Sequence, residues 1–373
     1  MLTETPMTRG EPTASMTRPE PTGRSDRQDI PEHETGAEDV QATLRKRALS
    51  PHTLISFAVA AVIVVFAVRR LEVDPSAIWR EIRHASPLIL LWAFVLWYGS
   101  FFVRAWRWRR MILAAGQDAH PEWRVPATPA LAEIVTLSWF ANSLMPAKLG
   151  DAYRGYLLKR DGNVPFSTGI GTILAERFAD AMMLLVVLGT SAVAVFGNHL
   201  PPEAGPALTL GAVLLVAGAV GIAVMWLTRD TLLRYLPYRL QGAYARLNSA
   251  VFRSLRSPAL VMGAALLLWF GDGMRVWLVA RSLNAGISPA IAILVAVMGA
   301  LLTIVPFTPA GLGVVELGIA SMLIGVFGLD PTVAGSIIVL DRVVAYWSLL
   351  FVGAVLYARR TRRDLQAAKP SPA

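Results

Sequence analysis

The chain alternates long apolar segments with short polar ones, and several apolar segments approach the length of a membrane span. A helix needs about 20 mostly apolar residues to cross a bilayer. The segments predicted as full spans are residues 54–68, 87–103, 165–195, 208–227, 258–279 and 331–357. The first of them is short and is expected to extend into its flanks. The pattern therefore predicts an all-α, polytopic integral membrane protein with about six full spans.

Two further apolar regions, 127–163 and 287–327, are interrupted by P-A-K-L-G and P-A-G-L-G. Proline removes a backbone donor and glycine permits a turn, so both motifs interrupt a helix. Irregular backbone at membrane depth is tolerated only where it is buried in protein or lines a wet cavity. We predict a re-entrant hairpin for each region, although a kinked helix without a ligand is the simpler alternative. The residues expected to form the breaks are Pro146, Gly150, Pro309, Gly311 and Gly313.

The same landmarks recur in two parts of the chain. Arg104 and Arg275 each begin an Arg-x-Trp sequence that precedes a break, and the acid-Arg pairs Glu176-Arg177 and Asp341-Arg342 follow the breaks. Corresponding landmarks are separated by about 165 residues, which indicates an internal repeat. The repeat halves are predicted at about 86–197 and 257–357.

The arginines predict the orientation of the chain. Residues 228–257 contain six arginines and a single acid, and the basic sequence R-R-T-R-R follows the last span. Such segments face the cytoplasm. With both placed inside, the two halves have opposite orientations, as in many secondary transporters. The segment 69–85, with four arginines, then falls on the outer side, against the same rule.

The predicted organisation has three parts: a disordered cytoplasmic tail at 1–48, a transmembrane domain at 49–360 and a basic cytoplasmic tail at 361–373. We expect the inner (plasma) membrane as its location, with both termini in the cytoplasm.

Composition narrows the function classes. Of the 373 residues, 54% are hydrophobic and only 16% are charged, whereas a soluble domain carries about 25% charged residues. Cytoplasmic loops explain the net charge of +9, so no nucleic-acid partner is expected. The chain has no cysteine, five scattered histidines and no P-loop. We therefore expect no metal site and no cofactor, and any transport would be downhill or coupled to an ion.

Arg177 and Arg342 lie well inside apolar segments. A charge at a helix centre costs about 2.5–3.5 kcal/mol, so each should face a cavity or a partner. Glu176 and Asp180 share one helix face, and Arg177 is predicted to pair with Asp180 along the helix. Asp272 and Arg275 have the same spacing. Alternatively, these groups only stabilise one another.

A helix that begins after a break points free backbone N–H groups at the break, which favours an anion. Lys148 and Arg154 add positive charge there, so we predict a site for a phosphate-bearing lipid head group. The residues expected to contact this substrate are Asn142, Lys148, Asp151, Arg154, Glu176, Arg177, Asp180, Arg275, Glu316, Asp341 and Arg342. The carboxylates could instead serve catalysis, but short outer loops argue against an enzyme. The tryptophans, with the sequence R-A-W-R-W-R-R, are interpreted mainly as interface anchors.

The sequences N-S-L-M-P-A-K-L-G-D-A-Y-R, E-R-F-A-D, P-F-T-P-A-G-L-G-V-V-E and D-R-V-V-A-Y-W resemble the lysylphosphatidylglycerol synthase transmembrane (flippase-like) family. This family includes the membrane half of the multiple peptide resistance factor. The resemblance covers about residues 53–360. Ala147 and Ala310 depart from it, because such proteins often have glycine there. No aminoacyl-transferase domain follows residue 360, so lysyl transfer by this chain is not expected.

The resemblance implies movement of lipids between leaflets. The residues that it marks are Asn142, Pro146, Gly150, Asp151, Arg154, Glu176, Arg177, Asp180, Pro309, Gly311, Gly313, Glu316 and Arg342. We therefore predict translocation of an anionic lipid or lipid-linked precursor. Two alternatives stay open: a non-transporting membrane scaffold that partners a lipid-modifying enzyme, and a lipid-modifying transferase.

Overall fold

A computed structural model describes residues 74–116, 120–144, 149–197, 204–303 and 311–367. The predicted tail at 1–48 and the predicted first span at 54–68 lie outside the described residues. So do Pro146, Lys148 and Pro309.

The described residues form helices joined by short connections, without a β-strand. The helices are α1 (Pro75–Arg83), α2 (Pro87–Gly116), α3 (Thr128–Leu144), α4 (Gly150–Gly162), α5 (Phe166–Phe196), α6 (Ala204–Leu227), α7 (Arg229–Tyr235), α8 (Tyr238–Ser254), α9 (Pro258–Ser282), α10 (Pro289–Leu302), α11 (Val314–Ala320), α12 (Pro331–Arg342) and α13 (Ser348–Ala367). A π-helical segment, Ser321–Val326, continues α11, and a second, Val343–Trp347, joins α12 to α13.

Four helical stretches within the described residues are long and apolar enough to cross a membrane: α2, α5, α9 and the continuous stretch Pro331–Gln366. A fifth is added if Gly211–Leu227 and α7, which meet at a bend of 68°, count as one span. The all-α, multi-pass architecture is thus confirmed, whereas the number of six full spans stays a prediction.

The second span differs from its prediction. The span was predicted to end at residue 103, but α2 continues to Gly116 and buries Met111, Ile112 and Ala115. These residues pack in the interior of the bundle, so tertiary contacts extend the helix past its basic sequence. The lipid-facing side of the same helix is marked by large exposed apolar side chains, among them Leu88 and Trp92.

Helices α3 and α4 form the first hairpin. At its open end the Arg124 backbone N–H donates to the Gly162 carbonyl O at 2.8 Å. The Asn163 side-chain amide donates to the Glu122 carbonyl O at 3.4 Å. The two chain directions therefore enter and leave at the same end of the bundle, as predicted for a re-entrant segment.

Helices α10 and α11 form the second hairpin, which opens at the opposite end. The π-helical segment that continues α11 ends next to Phe327, whose ring stacks on that of Phe196 at the end of α5. The two ring centroids are 5.9 Å apart. At this end the Ser86 N–H, just before α2, also donates to the Ser282 carbonyl O at 2.8 Å. Since α5 crosses the bundle from the first open end to this one, the two hairpins open in opposite directions. This arrangement matches the inverted repeat predicted from the sequence.

The break glycines have specific steric roles. A Cβ on Gly150 would lie 2.0 Å from the Ser138 carbonyl O and 2.7 Å from Asn142 Oδ1, so α4 can begin against α3 only with glycine there. Gly311 and Gly313 have φ values of +71° and +85°, a backbone region that disfavours other residues. Close approach explains the first glycine, and backbone conformation explains the other two.

Gly150→Ala should destabilise the protein by about 1–3 kcal/mol, because the new methyl group forces the two hairpin helices apart. Gly189→Ala is the matched control: this α5 glycine has open space at the Cβ position, and alanine there should be neutral or stabilise by up to about 1 kcal/mol. The measurement is the thermal unfolding midpoint of the detergent-purified protein. Equal midpoints for the two variants would contradict the close hairpin packing.

The inverted topology can be tested with single cysteines, because the natural chain has none. Glu122 and Gly286 are exposed in connections at opposite ends of the bundle. We expect Glu122→Cys, on the cytoplasmic side, to react with an impermeant thiol reagent only after the cells are lysed. Gly286→Cys, on the outer side, should react in intact cells. Labelling of both from one side would contradict the arrangement, and exchanged sides would reverse the predicted orientation.

Candidate functional site

A fully buried arginine, Arg107 on α2, lies at the centre of the charged interior. Its Nη1 donates to Asp180 Oδ1 at 2.6 Å, and its Nη2 donates to Glu176 Oε1 at 2.8 Å. The two acids are four residues apart on α5 and therefore face the same side. One guanidinium thus binds two carboxylates and joins α2 to α5.

Arg154 on α4 completes this buried cluster. Its Nη2 lies 2.9 Å from Glu176 Oε2, and its guanidinium lies over the ring of Trp108, 3.8 Å from the ring centroid. Trp108 in turn donates from Nε1 to the Thr172 hydroxyl at 3.0 Å. Two arginines therefore balance two carboxylates where α2, α4 and α5 meet. We call Arg107, Arg154, Glu176 and Asp180 the buried charge cluster.

The pairing predicted along α5 is wrong. Asp180 binds Arg107, while Arg177 turns to Asp151 on α4. Successive residues on a helix are about 100° apart, so Arg177 leaves the helix on a different side from the acid that precedes it. Packing against a second helix on each side then selects the partner.

Arg107 was not among the predicted site residues, and its neighbours on α2 differ from their predicted role. Arg104, Arg107 and Trp108 were interpreted as part of an interface anchor, yet all three are buried. The spacing contained a signal, since Trp97, Phe101, Arg104 and Trp108 recur every three or four residues and so share one face of α2. Trp97 and Trp123 are also buried, whereas Trp92 and Trp106 are exposed as the anchor interpretation expects.

A second, more open ion pair lies beside the first helix break. Arg177 binds Asp151 with two parallel contacts, Nε to Oδ2 at 3.0 Å and Nη2 to Oδ1 at 2.7 Å. Asn142, before the break, contacts the same carboxylate from Nδ2 at 3.4 Å and accepts the Gly150 N–H at 2.8 Å through Oδ1. Asp151 therefore contacts both Arg177 and Asn142, and Asn142 also binds Gly150 at the start of α4.

The second half repeats this arrangement. Arg342 Nε lies 2.6 Å from Glu316 Oε1, and Glu316 Oε2 accepts the Gly313 N–H at 2.6 Å. Asp151 and Glu316 are separated by the same number of residues as Arg177 and Arg342. In each half an acid after the glycine break holds an arginine on the next helix. The structure thus extends the internal repeat from sequence landmarks to ion pairs.

The remaining predicted pair is also rearranged. Asp272 and Arg275 were expected to bind each other, but Asp272 binds Arg104 at 3.2 Å and Arg275 binds Asp341. Both contacts connect different helices: α9 with α2, and α9 with α12. The same reason applies as on α5, because charged side chains three apart on one helix each bind an oppositely charged group on a neighbouring helix.

The two halves meet near the breaks. The Tyr346 hydroxyl, in the π-helical segment after α12, donates to the Ser143 carbonyl O at 3.3 Å. Ser143 is next in sequence to Asn142, which contacts Asp151. The hydrogen bond from Tyr346 therefore joins the second half to the end of α3 beside the first break.

Exposure divides the predicted residues into two groups. The side chains of Arg154 and Glu176 are only 1% and 4% exposed, whereas that of Arg177 is 38% exposed. The Glu316 and Arg342 side chains lie between these values, at 15% and 17%. The buried charge cluster is thus closed by protein, and Arg177 is the most accessible charge among the paired interior residues.

Arg177 borders an apolar groove between α5 and α6, with a volume of about 360 Å³. Leu174, Phe178, Leu215 and Ile222 line its walls. A groove of this kind accommodates hydrocarbon, and Arg177 is the one charged residue of its lining. The site therefore combines an apolar surface with an arginine, which is the combination that a phosphate-bearing lipid requires.

Arg107→Gln should destabilise the protein by about 3–5 kcal/mol, because it leaves two buried carboxylates with one arginine. Arg110→Gln is the matched control on the same helix, since Arg110 is exposed. The readouts are the thermal unfolding midpoint and the yield of monodisperse protein. Similar losses for both variants would contradict the role of the buried charge cluster.

A second variant separates charge balance from packing. Arg107→Met combined with Asp180→Asn keeps Glu176 paired with Arg154 and removes the acid that would otherwise be left unpaired. We expect the double variant to be more stable than Arg107→Gln. If its unfolding midpoint is the same or lower, the loss arises from packing rather than from an uncompensated charge.

Comparison with known proteins places these features in a family. The family model for the lysylphosphatidylglycerol synthase TM region matches residues 53–353. A UPF0104 membrane protein of Methanocaldococcus jannaschii is 29% identical over 231 residues, which cover 62% of this chain and 98% of that protein. A UPF0104 membrane protein of Methanothermobacter thermautotrophicus is 26% identical over 304 residues, or 75% and 86% of the two chains.

The chain is also similar to glycosyltransferase AglD of Haloferax volcanii, with 22% identity over 343 residues. This match covers 82% of the chain but 54% of AglD, so the chain spans about half the length of that relative. No solved structure matches the chain significantly. The family match contains both hairpins and both break-associated ion pairs. The chain therefore belongs to the lysylphosphatidylglycerol synthase TM region family, whose members are multi-pass membrane proteins.

Proposed function

We propose that this chain translocates an anionic lipid or a lipid-linked precursor between membrane leaflets. Membership of its family indicates a role connected with membrane lipids. The observation that carries the more specific proposal is the position of Arg177, a partly exposed charge beside an apolar groove. Lipid tails occupy the apolar walls while the guanidinium binds the head-group phosphate.

The geometry of Arg177 suits reversible binding. Its Nε and Nη2 hold Asp151, which leaves Nη1 with no partner among the described residues. A phosphate first binds the free Nη1 and then competes with Asp151 for the N–H donors at the edge of the guanidinium. Because Asp151 recovers the arginine when the lipid leaves, the site holds its substrate without trapping it.

Displacement of Asp151 also suggests how the lipid is released. A carboxylate that loses its arginine inside a membrane protein is costly. Return of the Asp151–Arg177 ion pair therefore favours departure of the lipid. The Asn142 contact at 3.4 Å keeps the carboxylate in place during this exchange.

The second half supports a two-sided mechanism. Glu316 and Arg342 occupy the equivalent positions beside a hairpin that opens at the other end of the bundle. Inverted repeats of this type allow a site near the midplane to be reached from one side and then from the other. We propose that each half serves access from one leaflet.

The similarity to glycosyltransferase AglD favours a second candidate, a role beside the processing of lipid-linked sugars. A sugar carried on a polyprenyl phosphate is itself an anionic lipid and fits the same groove.

As a transferase, the chain would need free carboxylates. The acids of the buried charge cluster are instead engaged by arginines. An open groove also favours transport over a scaffold, for which a sealed bundle is sufficient.

The proposal is tested in liposomes that contain the purified chain and a fluorescent lipid. We expect faster crossing of an anionic phospholipid or polyprenyl phosphate than of a neutral diacylglycerol. Arg177→Gln should slow the anionic lipid about tenfold or more, since a hydrogen bond to a charged group contributes about 1.5–3 kcal/mol. The preference for anionic over neutral lipid should fall with the rate.

Arg281→Gln is the matched control, because Arg281 is an exposed arginine on α9 away from the groove. Its rates should equal those of the natural chain. Equal crossing of anionic and neutral lipids would reject the arginine site. No acceleration of any lipid by folded protein would reject translocation in favour of the scaffold.

A further inference from the structure

A second cavity, of about 460 Å³, lies between the end of α6, the start of α7 and the last turns of α8. We propose that it binds the phosphate of an anionic phospholipid from the membrane leaflet at that end. This binding site goes beyond the proposed translocation, because the lipid held there is a resident of the leaflet and not the transported substrate.

The first argument is the charge of the cavity lining. Arg229 and Arg253 both line it, and Asp230 is the one acid in the lining. Neither arginine forms an ion pair within the described part of the chain, whereas Arg104, Arg107 and Arg275 each bind an acid. The cavity therefore has an excess of positive charge, and its two guanidinium groups have no acid partner among the described residues.

The second argument is the depth of the cavity in the membrane. The apolar part of α6 ends at Leu227, and α7 leaves it at a bend of 68°. Trp226, which lines the cavity, and Tyr235 and Tyr238 beyond it are 65%, 84% and 82% exposed. Aromatic side chains at the end of a span lie at the level of the lipid head groups. The anion available at that depth is a lipid phosphate.

The third argument is the mixed chemistry of the walls. Trp226 and Phe252 provide apolar surface beside the two arginines, while the Ser249 side chain adds a hydroxyl. A phospholipid presents the same mixture, with a charged phosphate next to glycerol and the beginning of the acyl chains. A free inorganic phosphate has no use for the aromatic surfaces, so the lining favours the lipid.

The cavity is separate from the groove that contains Arg177. Asn248 is buried and donates from Nδ2 to the Met225 carbonyl O at 2.9 Å. Asn248 lines the cavity, whereas Met225 lines the groove. This hydrogen bond between α8 and α6 stands between the two spaces. A lipid in the cavity would bridge the end of α6 to α8 without contacting Arg177.

The test uses Ser249→Cys in the otherwise cysteine-free full chain, reconstituted in nanodiscs. The measurement is the rate of reaction with an uncharged maleimide as phosphatidylglycerol replaces phosphatidylcholine. We expect phosphatidylglycerol to protect this cysteine. Arg229→Gln should raise the anionic lipid fraction needed for half protection about fivefold, the effect of one arginine near an anionic lipid surface.

Two controls make the result specific. Gly242→Cys, on the same helix outside the cavity, should show no protection. Arg239→Gln, an exposed arginine on α8 outside the cavity, removes the same charge as Arg229→Gln and should leave the protection of Ser249→Cys unchanged. Equal effects of the two arginine variants would overturn the proposal, because they would indicate a general surface potential.

Two further outcomes distinguish the ligand and the site. Inorganic phosphate added to phosphatidylcholine nanodiscs should protect weakly, and protection equal to that by phosphatidylglycerol would overturn the lipid assignment. Arg177→Gln should not change the protection, even where it slows lipid crossing. Loss of protection in that variant would show that cavity and groove are one site. Failure of translocation with protection intact would leave this inference standing alone.

Discussion

The structure depends on burying two arginines and two carboxylates where α2, α4 and α5 meet. Arg107 binds Glu176 and Asp180, and Arg154 closes the arrangement from the opposite side of Glu176. Desolvating four charges is costly, and the cost is offset only if every charge has a close partner. That requirement fixes the distance and rotation of three helices at once, which an apolar interface alone does not specify.

The hairpins are placed by a different constraint. Gly150 allows α4 to begin in contact with the backbone of α3, while Gly311 and Gly313 supply backbone conformations that other residues disfavour. Each break is then followed by an acid that holds an arginine on the next helix, Asp151 with Arg177 and Glu316 with Arg342. Glycine at each break and an ion pair after it make the two halves structurally similar, although their sequences share only short motifs.

The halves differ in how accessible their charges are. The first half contains the closed cluster around Arg107 and, one residue along α5 from Glu176, the open side chain of Arg177. Neighbouring positions on one helix therefore serve opposite purposes, because one faces the protein interior and the next faces a groove. A fixed charged interior therefore lies directly beside the accessible arginine to which we assign the proposed lipid binding.

The sequence alone determined the helical class, the broken helices and the repeat, because hydrophobic length, glycine position and motif spacing are local properties. It also identified Glu176 and Asp180 as sharing one helix face, which follows from helical periodicity. Only the tertiary structure decided the partners of the charges. Arg177 binds an acid 26 residues away and Arg104 binds one 168 residues away. Long side chains reach neighbouring helices as easily as their own, so packing, and not spacing, selects each pair.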